Sequence, residues 1–376
     1  MAMNAAVSAG PAMAAPAQFG LINLLKAGAA QLIVLHHLAF YGPMSDHARA
    51  LMPELMDWLT DHARIAVQVF LVVGGFLAAK SLSPSGRPGI ATPLHTTWRR
   101  YAKLAPPFLA AALLAAGANA LASAWMTHDS ISAPASFGQL SAHALLLHSV
   151  LGYESLSAGA WYVAIDFQLY AGMVLLLWLS GRLSGDGLRT WLMPAVMLAA
   201  VSSSLLYFNL DSDWDNWAPY FFGSYGLGVL AWWASDAKRT RGAVALLLAM
   251  LVLPALAALV LEFRVRIAVA LAVACALFAF GRARLAADAG RAWQLVNYLA
   301  KTSYAVFLIH FPVSLLVNAA FTRFAPAEPY WQAAGMAIAW GASLAAGAAF
   351  HRWVELPLGR IVSRVAQHVY ARPVPA

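Results

Sequence analysis

The sequence predicts an all-α membrane protein: a polytopic bundle of about ten transmembrane helices with both termini in the cytoplasm. Composition is the first observation behind this prediction. Of the 376 residues, 61% are hydrophobic and 11% are charged, whereas soluble domains carry about 25% charged residues. The second observation is the recurrence of apolar runs of about 18–23 residues, the length that crosses a bilayer. The third is that basic and acidic residues alternate in the segments between those runs, as a membrane topology requires.

The apolar runs give the predicted spans in chain order. They lie near 21–42, 63–81, 104–125, 160–180, 190–208, 217–235, 242–261, 265–281, 299–321 and 331–352. Residues 138–152 form an amphipathic stretch too short to cross, so we expect an interfacial or re-entrant helix there. The transmembrane domain is predicted at 21–360, between a disordered Ala/Pro-rich leader at 1–20 and a short basic cytoplasmic tail at 361–376.

The charge pattern supports this topology and excludes other classes of protein. Most of the 24 Lys and Arg residues lie at span ends that face the cytoplasm, and acidic residues dominate the opposite loops. Membrane orientation therefore explains the net charge of +8, and nucleic-acid binding is not expected. The single cysteine, Cys275, permits no intrachain disulfide and no cysteine-based metal site. The histidines show no metal-ligand spacing, so no metal is expected.

The first span carries ionisable groups at both ends, which are costly in a bilayer and therefore functional hypotheses. At about 100° and 1.5 Å per residue, Lys26 and His37 fall within about 20° of one face and about 16 Å apart. Asn23 and Tyr41 lie on the same stripe. His36 points about 80° away, which makes His37 the better catalytic candidate.

The second and third spans add small and basic residues. Two adjacent glycines, Gly74 and Gly75, let a ligand or another helix approach closely, and plain helix packing explains them as well. Arg99, Arg100 and Lys103 suit phosphate binding, although a positive-inside flank also explains this cluster. The expected cofactor-binding residues are Lys26, Arg99, Arg100 and Lys103.

The fourth span places Tyr162, Asp166 and Tyr170 on one helix face. Asp166 is the one acidic residue well inside a predicted span, about 10 Å from the non-cytoplasmic surface, where His37 lies about 7 Å deep. A carboxylate that orients an imidazole is a familiar general-base arrangement. We therefore predict His37 and Asp166 as the catalytic pair, with a buried structural pair as the alternative.

Further polar residues lie in the remaining spans. His310 sits in the middle of the ninth span, just before Pro312, where helix packing is the competing explanation. Glu355 near the end of the last span is expected in an interfacial salt bridge. The residues predicted to line a substrate pocket are His36, Gln68, Gly74, Gly75, Trp161, Tyr162, Tyr170 and His310. No role is assigned to His47, His62, His95, His128, His143 and His148.

Taken in order, these blocks resemble the membrane-bound acyltransferase 3 family. Lys26 to His37 is similar to its Arg/Lys-x10-His motif, Val67 to Leu77 to VDxFFxxSGFL, Arg99 to Pro106 to RRxxRIxP, Trp161 to Tyr170 to WSLxxExxFY, Ser303 to Pro312 to SYxxYLxHxP, and Glu355 to Pro357 to ExP. The resemblance spans residues 21–360. The chain departs from the family pattern at four positions, with Gln68 in place of an acid, Gly74 of Ser, Lys103 of Arg and Asp166 of Glu.

The resemblance implies transfer of an acyl group, usually acetyl, from cytoplasmic acyl-CoA to a hydroxyl of an extracytoplasmic acceptor. That acceptor is often a cell-envelope glycan or a lipid-linked sugar, and the enzyme would lie in the bacterial inner membrane. His37 would be the general base, or a transient acyl carrier, oriented by Asp166. The basic cluster would bind the CoA phosphates.

Two alternatives to an enzyme stay open at this point. A proton-coupled transporter would use the polar stripe as a relay. The lack of an evident repeat and the basic cluster at the inner surface count against it. A catalytically inactive family member, acting as a sensor or partner subunit, would fit the departures at Gln68 and Asp166.

Overall fold

The computed structural model describes residues 18–183, 192–285 and 290–370, and within these ranges the chain is almost entirely helical. The helices are α1 Gly20–Phe40, α2 Pro43–Ala48, α3 Pro53–Asp61, α4 Ala66–Leu82, α5 Pro93–Ala122, α6 Phe137–Ala144, α7 Ala160–Leu183, α8 Leu192–Leu206, α9 Ala218–Ala234, α10 Arg241–Leu261, α11 Val265–Phe280, α12 Gly290–Phe324, α13 Pro329–Phe350 and α14 Leu356–Tyr370. A π-helical turn, His351–Glu355, joins α13 to α14. Two short strands, β1 Gln18–Phe19 and β2 Arg284–Leu285, pair with each other in antiparallel orientation.

The predicted all-helical membrane fold is confirmed. Each of the ten predicted apolar runs contains one helix. In chain order these helices are α1, α4, α5, α7, α8, α9, α10, α11, α12 and α13. Among the described residues, eight helical stretches are long and apolar enough to cross a membrane. Of the remaining two, α9 has 17 residues and α11 has 16. The count of ten spans and the cytoplasmic termini stay predictions. The predicted leader lies largely outside the described residues, and helix α14 occupies the start of the predicted tail.

Helix α9 forms the centre of the bundle, because every residue from Tyr220 to Ala234 is buried. Small residues bring α4 into backbone contact with it. A Cβ added to Gly228 would lie 1.9 Å from the Val72 carbonyl oxygen, and one added to Gly75 would lie 1.9 Å from the Tyr225 carbonyl oxygen. Such close approach is how small residues join membrane helices. Gly75 is therefore a packing residue, and its predicted place in a pocket is wrong.

The segment after α5 folds back into the helix bundle, and we call its turn the re-entrant turn. The Tyr101 hydroxyl on α5 donates to the Ala144 carbonyl oxygen at 2.6 Å, and the Gln168 side chain on α7 donates to the Leu146 carbonyl oxygen at 3.4 Å. Leu146 is completely buried and adopts a φ of 57°. The turn after α6 is thus inserted between α5 and α7, and the chain then returns to form one wall of the site described below.

Candidate active site

A large cavity opens near the Lys26 end of α1, and we call it the cationic chamber. Its volume is about 810 Å³, and α1, α4, α5, α7, α12 and α14 all contribute to its walls. Its basic lining residues are Lys26, Arg100, Lys103, Lys301, Arg360 and Arg364. Asp166 and Glu355 are the carboxylates in its lining. A cavity so rich in cations suits a ligand that carries several phosphates.

Arg100 and Asp166 form an ion pair in the wall of this chamber. The guanidinium of Arg100 also lies over the Tyr170 ring, 5.2 Å from its centroid. This pairing overturns the prediction that Asp166 orients His37. The physical reason is that α5 begins at Pro93, about three turns before the predicted span. Arg100 therefore lies inside the bundle rather than at its surface, where it neutralises the carboxylate.

Of the other residues that the sequence singled out near this end of the molecule, some line the chamber wall and others lie on the protein surface. Lys26 and Lys103, which the sequence suggested as cofactor-binding residues, line the chamber, whereas Arg99 is exposed and does not belong to the lining. Gly74 is a wall residue, and a Cβ added there would lie 3.5 Å from Oδ1 of Asp166. Glu355 faces the chamber, and its Oε2 forms a hydrogen bond with Nδ1 of His351 at 2.7 Å. Glu355, which the sequence suggested only as an interfacial residue, thus belongs to the chamber.

Three aromatic rings close the deep end of the cationic chamber, and we call them the aromatic partition. Its members, Phe70, Tyr162 and Phe307, all line the chamber. Their ring centroids lie 5.4–6.2 Å from one another, the spacing of interacting aromatic pairs. The Phe307 ring also lies 6.0 Å from the ring of His310. The partition thus stands between the cations and the histidines.

Two adjoining cavities at the other end of α1 form what we call the histidine cleft. Their volumes are about 760 and 520 Å³, and they share the lining residues Asp61, Arg64, Ser155 and Trp161. His36 and His37 line the smaller cavity, and Gln68 lines the larger one. Most of the walls come from segments between helices, including residues 152–155 after the re-entrant turn.

The two neighbouring histidines of α1 have different environments. His36 donates from Nδ1 to the Leu59 carbonyl oxygen at 2.8 Å, which ties α1 to α3. Nδ1 of His37 lies 2.6 Å from Nε2 of His310 on α12. His37 is only 8% exposed, yet it reaches the cleft. His310 is 1% exposed and therefore lies behind His37 rather than in a substrate pocket as predicted.

The polar wall of the cleft contains two further predicted residues. Oε1 of Gln68 accepts a hydrogen bond from the Ser224 hydroxyl at 2.6 Å, so this amide is held by α9 and does not contact His37. Trp161, at the start of α7, lines both cavities. Tyr162, the next residue, faces the cationic chamber instead. The start of α7 therefore contributes to both ends of the site.

The cleft also contains three arginines to which the sequence pattern gave no role. Arg64 is exposed in both cavities, and no hydrogen bond or ion pair holds it within the described residues. Arg264 and Arg266 also line the larger cavity. Arg264 is buried and donates to Oδ1 of Asn209 at 2.7 Å, so its role is structural. A signal was present, because all three arginines break the rule that places basic residues at the cytoplasmic ends of spans.

Residues 20–349 match the family model described as an acyltransferase domain, the acyltransferase 3 family. The match covers nearly all of the described chain, and the protein belongs to this family. No curated protein and no solved structure matches it significantly. With its membrane-spanning helices, the protein is a multi-pass membrane acyltransferase.

Proposed function

We propose that the protein transfers an acyl group from acyl-CoA to a hydroxyl of an extracytoplasmic glycan, across the bundle from the cationic chamber to the histidine cleft. The single observation that carries this proposal is the placement of Lys26 and His37 at opposite ends of one helix, each in its own cavity. A donor with charged phosphates fits the first cavity, and a polar acceptor fits the second.

The cationic chamber suits CoA because its charges are distributed around the mouth. Lys26, Lys103 and Lys301 come from three different helices, and Arg360 and Arg364 come from α14. Arg100 is engaged by Asp166, so it serves mainly to position that carboxylate. We propose the half-buried Lys26, the exposed Lys103 and Lys301, and the two arginines of α14 as the phosphate contacts, with Asp166 and Gly74 shaping the wall beside them.

The histidine cleft supports the chemistry of transfer. In the proposed step, the acceptor oxygen bonds to the thioester carbon while Nε2 of His37 takes the hydroxyl proton. The bond between carbon and sulfur then breaks, and the CoA thiolate receives that proton. We propose that Arg64 and Trp161 hold the acceptor, because both line the wall that the two cavities share. An aromatic ring beside charged groups suits the apolar face and hydroxyls of a sugar.

The acyl end of the donor has to pass the aromatic partition to reach His37. Phe307 links the two ends, since its ring contacts Tyr162 on the chamber side and lies 6.0 Å from His310 on the cleft side. A narrow aromatic passage favours a small acyl group and excludes water from the thioester. We therefore propose acetyl as the transferred group.

The experiment uses purified protein in nanodiscs, with acetyl-CoA and cell-envelope glycan as substrates and released CoA as the readout. We expect His37→Ala to lower transfer by about 10²–10⁴-fold, the usual contribution of a general base. His47→Ala is the matched control, since His47 is an exposed histidine of α2 outside both cavities. Normal transfer by His37→Ala would show that the mechanism is wrong.

A second measurement distinguishes the enzyme from its rivals. Acetyl-CoA should raise the unfolding temperature of the protein, and liposomes containing it should show no substrate flux. Flux without stabilisation by acetyl-CoA would identify a transporter. Stabilisation without release of CoA in the presence of the glycan would identify an inactive member of the family.

A further inference from the structure

The side chain of His310 is held in one hydrogen-bonding state by its own helix. Its Nδ1 lies 2.8 Å from the Phe307 carbonyl oxygen and 3.1 Å from the Val306 carbonyl oxygen. Carbonyl oxygens only accept hydrogen bonds, so Nδ1 must carry the hydrogen. In a neutral imidazole the other nitrogen is then an acceptor. Nε2 of His310 therefore presents a lone pair toward α1.

This lone pair determines the tautomer of His37. Nδ1 of His37 is 2.6 Å from Nε2 of His310, and two lone pairs at that distance would repel. His37 must therefore donate from Nδ1. Its own lone pair then resides on Nε2, the nitrogen that a general base needs on the substrate side. The tautomer of the catalytic candidate thus follows from two backbone carbonyls on α12.

The ring geometry agrees with a hydrogen bond in the plane of both rings. The two planes differ by 7°, and the centroids lie 4.9 Å apart. The distance between the centroids is longer than the distance from Nδ1 of His37 to Nε2 of His310. The difference is about twice the distance from the centroid of an imidazole ring to one of its nitrogens. The rings are therefore coplanar and in line rather than stacked face to face. Both lie deep in the bundle, where a well-aligned hydrogen bond is strong.

We propose that His310 is the positioning residue for His37, in the role that a carboxylate plays in a conventional catalytic triad. The inference rests on the proposed function for its catalytic consequence, although the tautomer is a property of the protein itself. Asp166, the carboxylate predicted for this role, is bound to Arg100 in the other cavity. After His37 takes a proton, its Nδ1–H remains bonded to the neutral His310, which shares the positive charge with the carbonyls behind it.

The kinetic test compares His310→Phe with His310→Gln. Phenylalanine keeps a flat ring and removes the acceptor, so kcat should fall by about 100-fold or more, with KM for both substrates unchanged. Glutamine offers an amide oxygen to His37, and we expect it to restore most of kcat. A structural role alone would lower the amount of folded protein and not separate kcat from KM. If His310→Phe transfers acyl groups as fast as the wild type, the proposal is wrong.

Nitrogen-15 NMR of histidine-labelled protein in nanodiscs tests the tautomer without any substrate. The His37 signal is assigned from its disappearance in His37→Gln. It should report a protonated Nδ1 and an unprotonated Nε2 in the wild type, and a mixture of tautomers in His310→Phe. A protonated Nε2 in the wild type would overturn the inference even if the enzyme is active. Conversely, the expected signal in a protein that transfers nothing would leave the tautomer intact and reject the proposed function.

Discussion

The cationic chamber and the histidine cleft differ in how the chain builds them. Regular helices form the walls of the chamber, with α1, α4, α5, α7, α12 and α14 each contributing. Connecting segments form most of the cleft, including 62–65, 152–155 and 262–264. Rigid elements hold groups in fixed positions, whereas loops tolerate change and carry selectivity. Substitutions in the chamber should therefore affect stability and donor binding together, and those in the cleft should affect acceptor use alone.

The largest effect is expected for Asp166→Ala, which tests the chamber side of this comparison. Removal of the carboxylate leaves Arg100, whose side chain is 30% exposed, without its partner. Breaking a fully buried ion pair costs about 3–5 kcal/mol, and the partial exposure of Arg100 places the expected loss near the lower end of that range. We expect a lower free energy of unfolding, and weaker acetyl-CoA binding because the chamber wall changes. Unfolding of purified protein in mild detergent by a denaturant measures the first effect, and ligand-induced thermal shift measures the second.

A double variant separates the lost partner from the lost charge. Asp166→Leu combined with Arg100→Met replaces the pair by apolar side chains, an exchange that is often neutral for stability. The double variant should therefore be more stable than Asp166→Ala. If it is equally unstable, the pair is not what holds the chamber wall.

The helical part of this architecture could be predicted from the sequence because hydropathy and spacing are local properties. The apolar runs located the helices, and the spacing from Lys26 to His37 put the two residues at opposite ends of one helix, where the structure has a different cavity at each. The start of α5 was misplaced because the apolar run begins later than the helix. Pro93, at the first helical position after Thr92, was the available signal.

The sequence could not predict in the same way which helices pack against one another. His37 and His310 lie 273 residues apart in the chain, and hydropathy gives the depth of a residue without showing which helices adjoin. The depth of Asp166 and His37 suggested a pair, but α7 presents Asp166 to α5 and the chamber. The packing order of the helices, which is set by close contacts such as those of Gly75 and Gly228 with backbone carbonyls, decides these partners.

An intermediate effect is expected for Arg64→Ala, which tests the cleft side. Loss of a hydrogen bond from a charged group costs about 1.5–3 kcal/mol, so KM for the glycan should rise by about tenfold or more. The unfolding temperature and KM for acetyl-CoA should stay unchanged, because Arg64 is exposed at the cleft and far along the bundle from the chamber.

Arg49→Ala is the matched control for Arg64. Arg49 lies at the same end of the bundle in an exposed pair with Asp57, and such pairs contribute little. A change in acetyl-CoA affinity in Arg64→Ala, or an equal loss of glycan affinity in Arg49→Ala, would contradict the separation of the two cavities.

A smaller effect is expected for Lys301→Ala in the chamber. Lys301 is exposed at the mouth, where a charge contact contributes about 0.2–1 kcal/mol. KM for acetyl-CoA should rise by about two- to fivefold at low ionic strength, and the difference from the wild type should shrink in salt. Lys238→Ala, an exposed lysine outside the chamber, should have no effect. A salt-independent loss would show that Lys301 acts through packing rather than charge.

The smallest effect at pH 7 is expected for His148→Phe, but acid should enlarge it. His148 is completely buried beside the re-entrant turn, and its ring stacks on His143 with centroids 3.9 Å apart. Burial, with a further contribution from His143, lowers the pKa of His148 to about 3. The unfolded chain keeps a histidine pKa of about 6.5. Above that pH both states are neutral. Between about pH 6.5 and 3 only the unfolded state binds the proton, so the stability of the wild type falls as pH decreases.

The variant removes this group, so its unfolding temperature should decline less steeply with acid than that of the wild type. Thermal unfolding from pH 7 to pH 4 measures the difference, with His47→Phe as a control at an exposed histidine. Because residues 152–155 follow the turn into the cleft wall, acid should weaken glycan binding before it weakens acetyl-CoA binding in the wild type. Parallel acid profiles for His148→Phe and the wild type would show that the buried pair does not make the cleft more labile than the chamber.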